Sequence, residues 1–244
     1  MEIINTKDLT KKYANGSEEF TAVNNINLKV QKGEFVIILG KSGCGKSTLG
    51  RTILRLQEPT DGQILYDGKD ITKYNRRQMK QMRQNMQLIF QDPYASLDPR
   101  KSVVEIIAEY MIINRTYPSK KEIYNYAAHL MDIVGLARRY ANAYPHELDG
   151  GRRQRIGIAR ALSLHPKFIV CDEPVSALDV SIQAQILNLL MDLQDEMNLT
   201  YMFVTHDLSV VKHISNHIMV MYLGQCLELS TSDELFERPL HPYT

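Results

Sequence analysis

Apolar and polar residues alternate from Glu2 to Leu9 and again from Ala22 to Val30, the period of two that half-buried antiparallel strands show, and Asn15-Gly16-Ser17 marks a turn between them. A β-subdomain is predicted to open the chain. Phe35 to Leu39 is instead an unbroken apolar run, the pattern of a strand buried on both faces, and Ser47 to Leu56 beyond it reads as a helix. Gly62 to Gly68 predicts a short strand and turn, Arg76 to Arg83 a polar helix, and Met86 to Phe90 a second buried strand ending at Gln91. From Lys101 to Ala143 the period changes. Val103, Ile106, Ile107 and Tyr110, then Ile123, Tyr126, Ala127, Leu130, Ile133 and Val134, recur at helical spacing. Pro118 interrupts the run, Ser119 with Glu122 has the spacing of a capping box, and Gly135 is a stop, so two or three helices are expected. Arg152 to Leu164 (helix), Phe168 to Cys171 (strand), Ser181 to Glu196 (helix) and Thr200 to Val204 (strand) resume the alternation. Ile218 to Tyr222 and Gln225 to Leu229 form a hairpin on Leu223-Gly224, before a short acidic helix at Asp233 to Phe236.

This order predicts an α/β fold: a mainly parallel sheet with helices on both faces, an N-terminal antiparallel β-subdomain and an inserted all-helical subdomain. The 244 residues read as a single domain, with 1–92 and 155–244 as the core and 93–154 as the helical lobe. In such sheets ligands bind beyond the carboxyl ends of the strands, and Gly40, Gln91, Asp172 and His206 each follow a strand end. Composition narrows the partners. Lys plus Arg number 29 against 28 Asp plus Glu, which argues against a nucleic-acid surface. The three cysteines are far apart and make no C-x-x-C pair, as reduced thiols do. No apolar run reaches the ~18 residues of a membrane-spanning helix, and Met1-Glu2-Ile3-Ile4 lacks a basic, then apolar leader. If the protein works at a membrane, something else must hold it there.

Gly40-Lys41-Ser42-Gly43-Cys44-Gly45-Lys46-Ser47 fits G-x-x-x-x-G-K-[ST] between a strand and a helix. Glycines let successive N–H groups of Gly40, Ser42, Gly43, Cys44, Gly45, Lys46, Ser47 and Thr48 converge on phosphate oxygens, and the helix adds its positive end. Lys46 is expected at the β/γ-phosphates and Ser47 on Mg²⁺. The strand Phe168 to Cys171 empties into Asp172, placed to hold the Mg²⁺ shell, and Glu173, placed to take a proton from an attacking water. His206, past another strand, could donate to a γ-phosphate oxygen. Tyr13 serves either as a platform for adenine or as ordinary packing. His213 and His217 stand four apart without a third ligand, so solvated helix-end residues are expected and no structural metal. Leu148-Asp149-Gly150-Gly151-Arg152-Arg153-Gln154-Arg155 makes a second anion-facing helix end, which suits a nucleotide held by another subunit.

The order of these motifs closely resembles the ABC ATPase family across almost the whole chain. The matching parts are the phosphate loop at Gly40 to Ser47, the family's glutamine at Gln91, its signature at Leu148 to Arg152, the acidic strand Phe168 to Asp172, the glutamate Glu173, Ser176-Ala177-Leu178-Asp179, and the histidine His206. The resemblance implies ATP and Mg²⁺ as ligands, with Gln91 a further metal and catalytic contact. It also implies a head-to-tail dimer holding two ATP between the loop of one chain and the signature of the other. Gln91 to Arg100, Val175 to Ala184 and the final His241-Pro242-Tyr243-Thr244 are similar to the ATP-binding subunits of bacterial oligopeptide, dipeptide and nickel importers, in which a C-terminal extension starts at that last motif. That similarity implies an ATPase peripheral to the cytoplasmic face of the membrane. Its partners would be a paralogous ATPase subunit or a second copy, two transmembrane permease subunits contacting the helical lobe and the Gln91 region, and, indirectly, an extracytoplasmic binding protein; nucleic acid is not among them. The alternative is a soluble relative acting on ribosomes or DNA, although the chain has neither a second cassette nor a heptad insert. A P-loop kinase or GTPase would need neither Leu148 to Arg155 nor His206.

One departure stands out. The family signature reads L-S-G-G-Q, whereas Asp149 and Arg152 replace its serine and glutamine here. An ionised carboxylate only accepts hydrogen bonds and would repel a polyanion. Either Arg152 offsets that charge by pairing with Asp149 or with phosphate, or Asp149 caps the helix and points away. A heterodimer with one weakened site is the expectation. A thiol reagent at Cys44 is expected to inhibit, with MgATP protecting.

Overall fold

The computed structural model describes residues 1–16 and 18–244, apart from the side chains of Asn15, Pro93, Ser209, Val210 and His213. Ser17 of the expected turn and the imidazole of His213 therefore lie outside the described residues.

Strands β1 (Glu2–Asn15) and β2 (Glu18–Gln31) pair antiparallel over their whole length. They run well past the alternating stretches, because Lys12 to Asn15 and Glu18 to Thr21 continue as a ribbon with no core beneath it, with Tyr13 opposite Phe20. After β3 (Phe35–Leu39) comes α1 (Lys46–Ile53), then β4 (Asp61–Tyr66) and β5 (Lys69–Asp70), which complete a four-stranded sheet in the order β2-β1-β4-β5. The polar helix α2 (Arg76–Asn85) starts on a cap that its composition allows: Asn75 Oδ1 accepts from the N–H of Arg77 and Gln78, and Gln78 Oε1 accepts from Asn75 N–H. Strand β6 (Met86–Ile89) leads to a four-residue helix, α3 (Pro93–Ser96), too short to show in the periodicity.

The helical lobe contains α4 (Val103–Asn114), α5 (Lys120–Ile133) and the start of α6 (Gly150–Leu162). Ser119 Oγ accepts from Glu122 N–H and Gly135 has φ +65°, so the cap and the stop fall where the sequence predicts. Next come β7 (Phe168–Asp172), α7 (Val180–Met197), β8 (Thr200–Thr205) and α8 (Leu208–Ile214), the last an element the spacing does not reveal. Strands β9 (His217–Tyr222) and β10 (Gln225–Thr231) close on Leu223 and Gly224, both at positive φ, and α9 (Ser232–Glu237) follows.

The second sheet has the order β10-β9-β3-β8-β7-β6, parallel except for β10. Its two faces differ. Phe35, Ile37, Ile169, Cys171, Tyr201 and Phe203 pack with the helical lobe and α7, while Val36, Ile38, Phe168, Val170, Met202 and Val204 pack with α1 and the antiparallel sheet. The alternation within each apolar strand thus feeds two cores. Helices lie on both faces, as the sequence predicts; on the second face α1 and Met79 of α2 share the cover with a sheet, because β1, β2 and β4 bring their own apolar side down onto it.

Candidate active site

Strands β3, β8, β7 and β6 lie side by side in that order, with Leu39 beside Thr205, Asp172 beside Val204 and Ile89 beside Cys171. Their carboxyl ends therefore deliver the loop 40–47, His206, Asp172 with Glu173, and Gln91 to one edge of the sheet. Gly40 and Gly45 are fixed there by space: a Cβ would lie 2.4 Å from Met221 O at the first and 2.1 Å from Ala22 O at the second, where φ is also +104°. Hydrogen bonds from Asn24 N–H to Gly224 O (2.8 Å) and from Gly224 N–H to Cys44 O (2.9 Å) tie β2, the loop and the β9–β10 turn together. The Cys44 thiol is buried beneath the loop, its Sγ 4.0 Å from Lys46 Nζ. The expected reaction with a thiol reagent would have to reach this buried Sγ.

Lys46 is 3% exposed and its Nζ donates to Gly40 O (2.7 Å) and Lys41 O (3.0 Å). Ser47 Oγ donates to Asp172 Oδ1 at 2.6 Å, and Arg51 Nη2 donates to Asp172 Oδ2 at 3.2 Å. No motif points to Arg51, although it stands four residues after Ser47 and so shares its helix face. Asp172 is buried, which makes those two donors necessary to offset its desolvation. Glu173 Oε2 accepts from Gln91 Nε2 at 3.1 Å and lies 3.3 Å from His206 Nδ1, while Oε1 is 4.0 Å from Lys46 Nζ. Its backbone has φ +47°, held by Glu173 N–H to Val204 O and by the N–H and hydroxyl of Ser176 to Glu173 O. A non-glycine residue in that region is strained, and here it turns the carboxylate toward Gln91.

Thr48 belongs to the first turn of α1, whose N–H groups have no carbonyl a turn earlier, and Ser42 and Gly43 form the exposed rim of the loop. Tyr13 does not join this cluster: its hydroxyl donates to Gln57 Oε1 at 2.6 Å, and Lys11 Nζ sits 5.0 Å from its ring centroid. Asp149, Gly150 and Gly151 also stand apart, with no hydrogen bond or ion pair to residues 40–48 among the described residues. Asp149 caps α6, Oδ1 accepting from Arg152 N–H at 2.8 Å and Oδ2 from Arg152 Nη1, and the guanidinium lies 4.9 Å from the Tyr140 ring centroid. Capping and pairing, alternatives in the sequence, occur together. Gly150 and Gly151 answer to packing as well as to any anion: a Cβ would meet Leu178 Cδ2 at 3.0 Å and Ile182 Cγ2 at 2.7 Å.

A glycine loop closing a buried strand, with a buried aspartate bonded to its serine and a glutamate one residue on, defines a P-loop nucleoside triphosphatase core. Residues 23–176 match the family model described as ABC transporter. The oligopeptide transport ATP-binding protein OppF of Bacillus subtilis is 50% identical over 244 residues, covering 100% of this chain and 80% of that protein. The dipeptide transport ATP-binding protein DppF of Escherichia coli is 48% identical over 223 residues, 91% of this chain and 66% of its own length. Among solved structures, the dimeric ATP-binding cassette MJ0796 in a post-hydrolysis state with ADP and Pi superposes with a TM-score of 0.86 at 32% identity, covering 94% of this chain and 98% of that one. cbiO1 from Clostridium perfringens, part of the ABC transporter complex cbiONQ, gives 0.86 at 28% identity over 97% and 91%. The chain belongs to the ABC transporter family and is one of its ATP-binding, ATP-hydrolysing cassettes.

Proposed function

We propose that the chain powers import of peptides through a membrane transporter; the names of OppF and DppF say oligopeptide and dipeptide transport of those proteins. The observation that carries the chemistry is the Glu173 carboxylate, held by Gln91 beside His206 and Lys46, one residue from the Ser47–Asp172 bond. Glu173 takes the proton of the attacking water. Lys46, turned back on the loop carbonyls, is placed to swing onto the β/γ-phosphates. His206, half exposed, donates to the γ-phosphate. Gln91 orients Glu173 through its amide nitrogen, and its carbonyl oxygen would be a further donor to a metal ion held by Ser47 and Asp172. The Ser47 hydroxyl and the Asp172 carboxylate are hard oxygen donors, few in number, as Mg²⁺ prefers when phosphates complete its shell. No group of three His, Cys, Asp or Glu among the described residues makes an all-protein metal site. Bound there, Mg²⁺ would neutralise charge on the transferred phosphoryl group.

The rest of the reading concerns partners. No helix among the described residues is long and apolar enough to cross a membrane. A groove of about 510 Å³ between α2, β6, α4 and α6, lined by Leu56, Leu88, Phe90, Ile113 and Leu164, offers a permease subunit an apolar seat beside Gln91, holding the chain at the cytoplasmic face. Residues 93–154 are the lobe that would move with it. The Gly150 end of α6 completes a nucleotide site in a second cassette. There the Asp149–Arg152 pair presents a carboxylate already engaged by its own helix, so this half of the dimer binds triphosphate weakly, and a paralogous subunit with the usual signature is the partner. To test both points, ATPase activity is measured for the chain alone, for the chain with that paralogue, and for Asp149→Ser/Arg152→Gln alone. Low activity alone that rises in the mixture and in the double variant is expected. Full activity of the unaltered chain alone would rule out the weakened site.

A further inference from the structure

The last turn of α6 carries a side chain that the chemistry above does not use. Arg160 is 8% exposed, its Nη1 donates to Ser96 O at 2.5 Å and its Nη2 to Ser96 Oγ at 3.3 Å, and its guanidinium lies 5.8 Å from the ring centroids of both Phe90 and Tyr110. It therefore holds residues on both sides of Gln91. Arg153, seven positions earlier and so on the same helix face, places its guanidinium 4.9 Å from the Tyr94 ring centroid and donates to Pro145 O at 2.8 Å. The segment 92–96 is shaped by a cap: Asp92 Oδ1 accepts from the N–H groups of Tyr94 and Ala95 at the start of α3. Burial holds the guanidinium of Arg160 below its ordinary pKa, yet arginine keeps its charge under such conditions, so the slot spends desolvation on a fork that lysine could not replace in geometry.

We propose that Arg160 is a positioning residue that locks the segment around Gln91 to α6, so that nucleotide bound at Gly40–Ser47 is felt at the Gly150 end of the same helix. The chain of contacts is continuous: Glu173 to Gln91, Phe90 and Ser96 to Arg160, and from Arg160 back along α6 to Arg152 and the capping Asp149. Phe90 and Arg160 also line the apolar groove, so an occupant there would press on the same link. The link rests on the function proposed above.

The chain has no tryptophan, and Tyr140, against which Arg152 packs, is a site for one. With Tyr140→Trp in the full chain, Mg²⁺ and a non-hydrolysable ATP analogue are added while emission is followed, and the affinity of the analogue is measured separately by equilibrium dialysis. The emission of the parent changes. In Arg160→Ala the change falls at least fivefold, with the affinity within threefold of the parent. Arg160→Lys, which keeps the charge but cannot make the forked contact, shows less than half the change and serves if the alanine variant fails to fold. A full emission change in Arg160→Ala or in Arg160→Lys overturns the link, as does a tenfold loss of affinity that tracks the lost signal, which would mark a role in folding alone. A parent that binds the analogue with a silent tryptophan sinks the link alone. A parent that does not bind the analogue sinks the functional reading and the link with it.

Discussion

Replacing Gly45 with alanine tests how the phosphate loop is seated. The position combines φ +104° with a Cβ that would lie 2.1 Å from Ala22 O, against the 3.4 Å at which ordinary contact begins. The obstructing atom is backbone, in a strand paired to β1 and bonded through Asn24 to Gly224, so it cannot rotate away. Left-handed strain in a non-glycine residue costs about 1–2 kcal/mol and overpacking against fixed neighbours about 1–3 kcal/mol, together roughly 2–5 kcal/mol. A domain of this kind has about 5–15 kcal/mol in all, so the variant loses a large share. Gly43 is the control, with φ +80° and nothing within 4 Å of its would-be Cβ. Gly43→Ala carries the strain alone, about 1 kcal/mol. Urea unfolding of both variants at constant m, with ATP affinity by dialysis, separates the two effects. Gly45→Ala is expected to unfold at distinctly lower urea than Gly43→Ala. Midpoints that imply stabilities within about 0.5 kcal/mol of each other would refute the claim that Ala22 holds the loop.

Glu173→Gln keeps the shape and the contact with Gln91 but removes the proposed base; hydrolysis should fall by about 10²–10⁴ while ATP binding persists, and wild-type turnover would remove Glu173 from that role. At the start of α4, Glu105 Oε2 accepts from the N–H and the hydroxyl of Ser102, and that backbone bond first, then the hydroxyl, holds the carboxyl below its ordinary pKa. A carboxylate depressed in the folded state stabilises above its unfolded value and loses that contribution as pH falls, so the melting gap between wild type and Glu105→Gln should close below pH of about 4.3. A gap that widens with acid would contradict this. Cys44, buried under the loop, should react with a maleimide far more slowly than Cys226, which is only half-buried; mass spectrometry of the labelled peptides decides it.

Much of the fold is legible in the sequence because single periods rule whole elements. Phe35 to Leu39 and Phe168 to Cys171 are apolar throughout since each strand feeds a core on both faces, and the Ser119 and Gly135 signals bound α5. What stays hidden depends on neighbours rather than on local pattern. The strand pairing of Lys12 to Asn15 with Glu18 to Thr21 has no buried side to print an alternation, α3 is one turn long, and the layer of β1, β2 and β4 on the second sheet face arises from tertiary packing. At the site, strand ends can be read from the sequence, but not which ends are neighbours; the order β3-β8-β7-β6 is what gathers Gln91, Glu173 and His206. Arg51 and Arg160 carry no motif, since an arginine on a helix declares its partner only once the facing segment is in place. Asp149 shows the reverse: both of its possible roles are readable, and the geometry combines them.

The central claim is that nucleotide is clamped between the loop of one cassette and the start of α6 in another. Cysteines introduced as Ser42→Cys in one chain and Asp149→Cys in the second, whether copy or paralogue, in a Glu173→Gln background, measure it with a short bifunctional thiol reagent. The account predicts an interchain crosslink that forms with MgATP and is absent without nucleotide. No crosslink in either orientation, with ATP bound and both thiols reactive, would contradict it.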